Sequence, residues 1–149
     1  MLCDDPILNI AVCVPVLNEL ALTCATVRKA VDTLPFGRKI SVHAYPTPAA
    51  LLAAKPCDIC ITELELPGMD GFTLIDEARR RRPSAGAIVV TDVKTNEAAL
   101  QAWQANVQQY FVKPIESPAN YERLKTTLED MTRELTAAAR RTEAKTCEG

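Results

Sequence analysis

Asp58-Ile59-Cys60-Ile61-Thr62-Glu63 is followed by the loop Leu64-Glu65-Leu66-Pro67-Gly68-Met69, and then by a helical pattern from about Asp70 to Arg81 that stops before Pro83. The fold is decided here. The first six residues, apolar at Ile59, Cys60 and Ile61, read as a strand, and the nearly continuous apolar run Leu8 to Val14 shows the type, a strand buried on both faces. The same unit recurs on either side. Leu8 to Val14 is a strand of the same kind, and Leu17 to Leu34 carries Leu20, Cys24, Val27, Val31 and Leu34 at helical spacing, stopping at Pro35 and Gly37. Lys39 to Ala44 reads as a second strand, and Thr47-Pro48 opens a short helix with Thr47 as cap and proline in the first turn.

Beyond the central unit, Ala87 to Thr91 is a fourth strand, Asn96 to Asn106 a helix and Gln109 to Val112 a fifth strand. A long helix then runs from about Ser117 to Ala138. Five strands alternating with five helices predict an α/β fold, a parallel sheet with helices on both faces and an extended C-terminal helix. We expect one domain over residues 8–138, preceded by a lead-in at 1–7 and followed by a tail at 139–149 that frays from Thr142. In open sheets of this kind ligands sit beyond the carboxyl ends of the strands. Chemistry is therefore expected at Val14–Val16, Glu63–Glu65, Thr91–Asp92 and Lys113–Pro114.

A chain of 149 residues buries a core without disulfides or metal. The net charge of −2 lacks the basic excess of a nucleic-acid surface. No run approaches the ~18 apolar residues of a membrane span. Met1-Leu2-Cys3-Asp4-Asp5-Pro6 has no basic segment followed by an apolar one, so no secretory signal is read and the cytoplasm is the default. The six cysteines (Cys3, Cys13, Cys24, Cys57, Cys60 and Cys147) are irregularly spaced and are expected as reduced packing thiols. Cys57 and Cys60 stand three apart at a strand entrance, which would point them to opposite faces and exclude joint chemistry.

Three segments carry a family likeness. Glu63-Leu64-Glu65-Leu66-Pro67-Gly68-Met69-Asp70-Gly71-Phe72 resembles the third-strand loop of response-regulator receivers, usually D-x-x-L-P-x-M-D-G. Val89-Val90-Thr91 resembles the end of their fourth strand, and Tyr110-Phe111-Val112-Lys113-Pro114 their fifth-strand aromatic and Lys-Pro signature. The order and separations are also family-like, over roughly Leu8 to Glu129. Asn9 to Cys13 and Ala98 to Asn106 are further similar to the first strand and fourth helix of LytTR-type receivers. The resemblance implies a flavodoxin-like strand order and a place in two-component signalling. It also implies a mechanism: an acidic pair after strand one and the strand-three aspartate bind Mg²⁺, a histidine kinase phosphorylates that aspartate, and a Thr and a Lys contact the phosphoryl oxygens. Octahedral oxygen coordination and charge neutralisation are what that chemistry requires.

The sequence departs from this pattern. The acidic pair falls on Val14 and Pro15, which cannot ligate a cation, and the acceptor position holds Glu63. An extra methylene moves the carboxylate by about an ångström, and misplacement of that order costs on the order of 10²-fold in rate. Asp4 and Asp5 precede the first strand and belong at the wrong end of the sheet, whereas Asn18 and Glu19 are expected to serve the helix N-terminus. Thr91, Tyr110 and Lys113 are retained as switch and phosphate-contact positions, or as remnants kept for packing. Lys113 is expected to pair with Glu63 or with Asp92. Asp92 either repels phosphate or caps the following loop or helix.

The reading is thus a non-enzymatic, atypical receiver, acting by contact with a histidine kinase or effector protein, with no metal and weak or absent Mg²⁺ binding. The alternatives are an active phosphoacceptor with unusual ligands, or the regulatory part of a DNA-binding regulator; no DNA-binding module is recognisable after Ala138, so that role would require further residues or a partner. Arg79 to Arg82 are expected as a solvated helix end, and His43 as structural. On the last helix, Tyr121, Leu124, Leu128, Met131, Leu135 and Ala138 form a seam. Its first half is expected to pack on the sheet, and Met131 to Ala138 to run past the core. A homodimer through the fourth and fifth helices is the expected partner arrangement.

Overall fold

The computed structural model describes residues 8–35 and 39–148, with the side chains of the C-terminal helix as far as 138. The 1–7 lead-in with Cys3, Asp4 and Asp5, the Gly37 helix stop and the side chain of Cys147 lie outside the described residues. In chain order the elements are β1 (Leu8–Cys13), α1 (Leu17–Asp32), β2 (Ile40–Tyr45), α2 (Pro48–Ala53), β3 (Ile59–Thr62), α3 (Gly71–Arg81), β4 (Gly86–Thr91), α4 (Asn96–Gln104), β5 (Gln109–Val112) and α5 (Pro118–Glu148). The strands form one parallel sheet in the order β2-β1-β3-β4-β5. The chain reverses its winding direction between β1 and β3, which opens a crevice at their carboxyl ends.

Alternation along each strand divides the core in two. Ile10, Val12, Ile59, Ile61, Ile88, Val90 and Phe111 pack under α1 and α5 with Val27, Val31, Leu124 and Leu128. Ala11, Cys13, Cys60, Ala87 and Val89 face α2, α3 and α4 with Leu51, Phe72, Leu74, Ile75 and Ala102. Side-chain caps fix three helix starts: Thr47 accepts the Ala50 amide at 3.1 Å, Asp70 that of Thr73 at 2.8 Å and Thr95 that of Ala98 at 3.1 Å. Among the described residues, no helix is long and apolar enough to cross a membrane.

Four expectations are corrected. β3 starts at Ile59, so Cys57 precedes the ladder, and a bend at Asp58 returns it to the face occupied by Cys60; both thiols lie in one cluster. Met131 does not run past the core, being only 6% exposed, and Thr132 and Thr136 beyond it are buried. The tail expected to fray from Thr142 continues α5 through Glu148. The arginine run is not simply solvated. Arg79 donates to the carbonyls of Ala105, Asn106 (2.9 Å) and Ala85 (3.1 Å), Arg81 to that of Ala54, and Arg82 pairs with Asp58 at 2.7 Å. Arg79 thereby places its cation at the C-terminal end of the neighbouring α4, where the helix dipole is negative.

His43 is exposed and hydrogen-bonded to Ser41 Oγ at 3.0 Å, which in turn donates to Asn9 Oδ1 at 2.6 Å. This chain of polar groups ties the β2 edge to β1.

Candidate functional site

The loops after β1, β3, β4 and β5 converge at one edge of the sheet, and Lys113 stands at their centre. It follows directly on β5, and the peptide bond to Pro114 is cis. Its ammonium lies 2.7 Å from Glu63 Oε1, also donates to Glu19 Oε1, and is 3.9 Å from Asp92 Oδ2. The structure therefore brings Glu63, Asp92 and Lys113 together, at the edge where the topology rule placed them.

Glu63 is 6% exposed and both its oxygens are engaged: Oε2 accepts the Leu64 amide at 2.7 Å while Oε1 faces Lys113. The backbone holds it in place. The Glu63 amide donates to the Cys13 carbonyl at 3.1 Å and Gly71 donates to Leu64 at 2.9 Å, while a bridge between Glu65 and Asp70 closes the intervening loop. A Cβ on Gly71 would stand 2.4 Å from the Glu63 carbonyl oxygen, so only glycine permits this approach.

Glu19 is the residue whose role the sequence reading missed. It was assigned to the α1 N-terminus, which it does occupy; the Val16 cap contributes no side-chain hydrogen bond. From that first turn, however, its carboxylate reaches across to Lys113. The only available signal was its place just beyond the carboxyl end of β1, in the crevice. Asn18, beside it, is exposed.

Val14 is 1% exposed and belongs to the core beneath the site, and Pro15 is half-buried; both present only hydrocarbon where an acidic pair would stand. Thr91 is fully buried, and its Oγ1 accepts the Val93 amide at 3.3 Å. The Tyr110 hydroxyl donates to the Val93 carbonyl at 2.6 Å. These two retained positions thus meet on the backbone of one loop residue. Asp92 is exposed and does not cap α4, since that cap is Thr95.

Burial works against the Lys113 ammonium, but its hydrogen bonds to Glu19 and Glu63 and their charges outweigh it and raise its pKa above the ordinary 10.5. Tyr110 is raised above 10.0 by burial first and by the charge of Glu63 second. A pocket of about 270 Å³ opens beside the cluster, bounded by Glu19, Thr23, Asp92, Lys113 and Ile115. Among the described residues, no group of three or more His, Cys, Asp or Glu side chains is arranged to hold a metal ion.

This arrangement can be set against known proteins. The chain is 33% identical over 67 residues to the DNA-binding transcriptional regulator NtrC of Salmonella typhimurium, covering 45% of this chain and 14% of NtrC. It is 32% identical over 90 residues to the response regulator protein FleR of Pseudomonas aeruginosa, covering 59% of this chain and 19% of FleR. It thus spans less than a fifth of either relative. Among solved structures, the signal receiver domain of a Luxo repressor protein from Vibrio parahaemolyticus superposes with a TM-score of 0.67 at 17% identity, covering 89% of this chain and 95% of that one. The response regulator DrrB of Thermotoga maritima gives 0.65 at 20% identity, covering 85% and 53%. Those likenesses concern the fold alone. Residues 1–129 match the response regulator receiver domain, and the chain belongs to that family.

Proposed function

We propose that this receiver domain works without phosphorylation, as a regulatory module of two-component signalling that acts through protein–protein contact. One observation carries the reading: Lys113, the phosphate-contact position, is held by Glu63 at the acceptor position and by Glu19. A phosphoryl group would have to displace carboxylates from that ammonium. The donor set does not fit Mg²⁺, which takes octahedral oxygen ligands. Val14 and Pro15 supply no oxygen, and the two Glu63 oxygens already face an ammonium and an amide. Asp92 adds a carboxylate that repels an incoming phosphate.

Receiver domains are regulatory rather than catalytic, so the output lies in a surface. On α4, Leu100 and Trp103 are 56% and 77% exposed, which supports contact through that helix with a histidine kinase, an effector or a second copy that also uses α5. Residues 8–138 form the receiver unit of this reading, with the cytoplasm as its compartment. The likeness of Asn9 to Cys13 and of α4 to LytTR-type receivers belongs to the same proposal.

The test is titration with Mg²⁺ and then with beryllofluoride, a phosphoryl mimic, following Trp103 fluorescence and amide NMR shifts. The expected result is no saturable change at Glu63, Thr91 or Lys113. A saturable Mg²⁺-dependent response would overturn the proposal and make Glu63 a working acceptor with unusual ligands.

A second reading, the regulatory part of a DNA-binding regulator, is favoured by the NtrC match, in which this chain spans only 14% of a protein named as DNA-binding. The mass of the endogenous protein discriminates it: a chain much heavier than these 149 residues would support it.

A further inference from the structure

Cys57 and Cys60 lie near the opposite end of β3 from Glu63 and take no part in the site above. Cys60 is held by the ladder between Ala11 and Ala87 and points toward the α3 side, where Cys13 also packs. The bend at Asp58 brings Cys57 onto the same side, and the two thiols are hydrogen-bonded to each other. That hydrogen bond from Cys60 is the chief reason the Cys57 thiol is drawn below its ordinary 9.0; burial opposes it. The Arg82 guanidinium, ion-paired with Asp58 at 2.7 Å, offsets the carboxylate beside the thiol. Cys60 moves the other way, raised by the same hydrogen bond and by complete burial. Cys13 is pushed up to about 11 by burial.

Both thiols are buried, Cys57 at 4% and Cys60 at 1% exposure, but of the two it is Cys57 that lines the wall of a groove of about 600 Å³, together with Ser41, His43 and Lys55. An activated thiol at a groove with a second thiol behind it is the arrangement of an attacking and a resolving cysteine.

We propose that Cys57 and Cys60 form an oxidisable dithiol, with hydroperoxides reaching Cys57 through the groove. The Cys57 thiolate attacks a peroxide oxygen: an S–O bond forms, the O–O bond breaks, and the departing hydroxide or alkoxide takes up a proton. Cys57 is then a sulfenic acid. The Cys60 sulfur attacks the Cys57 sulfur, the S–O bond breaks, and water leaves with the Cys60 proton. The dithiol has lost two electrons, the peroxide has gained them, and the product is the Cys57–Cys60 disulfide.

The experiment treats the whole chain with a few equivalents of hydrogen peroxide at neutral pH, blocks remaining thiols, and maps peptides by mass spectrometry. The expected product is a dithiothreitol-reversible bridge joining Cys57 to Cys60, two hydrogens lighter than the reduced peptide. Before oxidation, Cys57 should alkylate faster than Cys13 and Cys60, which are buried more deeply and whose thiols are both raised. In Cys60→Ser, Cys57 should instead accumulate a dimedone-reactive sulfenic acid, with circular dichroism confirming the fold. Should that variant fail to fold, the bridge map of the unaltered chain decides alone. A bridge formed elsewhere, or a Cys57 still reduced after Cys24 has reacted, would overturn the proposal.

Discussion

Glu19, in the first turn of α1, and Lys113, just after β5, are joined by a hydrogen-bonded ion pair across 94 positions of sequence. The pair ties the helix layer to the far side of the sheet, and Glu63, directly after β3, completes it. Lys113 thereby belongs to three elements at once. An ammonium so occupied is a structural cross-brace as well as a charge, and its removal should register as stability.

Lys113→Met leaves Glu63 buried without its cation. Removing one partner of a buried pair costs about 3–5 kcal/mol, and the partial exposure of Lys113 places the expected loss near the lower end, about 3 kcal/mol. The double substitution Glu63→Gln with Lys113→Met should recover most of it, because no charge is then stranded. Glu19→Gln alone should cost at most about 1 kcal/mol, its side chain being 39% exposed. Urea unfolding of the four proteins measures all three values. A Lys113→Met chain as stable as the parent would remove the brace from the account.

Alkaline pH should act on the same group. A folded pKa raised above 10.5 means that the Lys113 contribution is fully present below that value and is lost as pH rises through the folded one. Tyr110, raised above 10.0, has the same sign: the folded state holds its proton longer, so stability again falls on the alkaline side. The urea midpoint should change little from these groups between neutral pH and about 9.5, then drop. Lys113→Met and Tyr110→Phe should each flatten part of that drop.

The alternation of apolar runs and helical patterns was enough to read the strands and helices, because each has its own period and stop signal. Residues at strand ends were legible for the same reason: a parallel sheet delivers Glu63, Asp92 and Lys113 to one edge whatever the loops do. Glu19 was not legible, since a first-turn acid is equally explained by its own helix, and only the crossing of α1 over the crevice turns it toward Lys113. Cys57 was misread through a boundary error of one residue in β3, which reverses the side to which a thiol points. The arginines misled because their hydrogen-bond partners, Ala54, Asp58, Ala85, Ala105 and Asn106, lie in loops whose course the sequence does not fix.

Arg79 offers a test of those loop contacts. Its guanidinium satisfies carbonyls at the end of α4 and before β4, and hydrogen bonds made by charged groups are worth about 1.5–3 kcal/mol. Arg79→Ala should therefore cost about 2 kcal/mol and speed amide exchange at Val107 and Gln108, whose segment it anchors. Arg79→Lys should recover only part of this, because an ammonium lacks the planar fork that reaches several carbonyls. Equal stability of the arginine and alanine forms would show that water replaces the contacts without loss.

Two glycines, each overhung by another atom, should respond to different degrees to the same added methyl group. At Gly71 the new Cβ would meet the backbone oxygen of Glu63 at 2.4 Å and the Leu64 Cα at 3.1 Å, and neither can yield without moving the β3–α3 loop. At Gly86 it would meet the Met131 methyl at 2.3 Å, the far end of a flexible side chain that can turn aside. Gly71→Ala is expected to cost about 2–3 kcal/mol by overpacking and to shift the amide resonances of Glu63 and Lys113. Gly86→Ala should cost less than about 1 kcal/mol and leave those resonances in place, since its neighbour gives way on the α5 side of the sheet. If Gly71→Ala left the Glu63 and Lys113 amides unmoved, the tight approach of α3 to β3 would not be what positions the carboxylate.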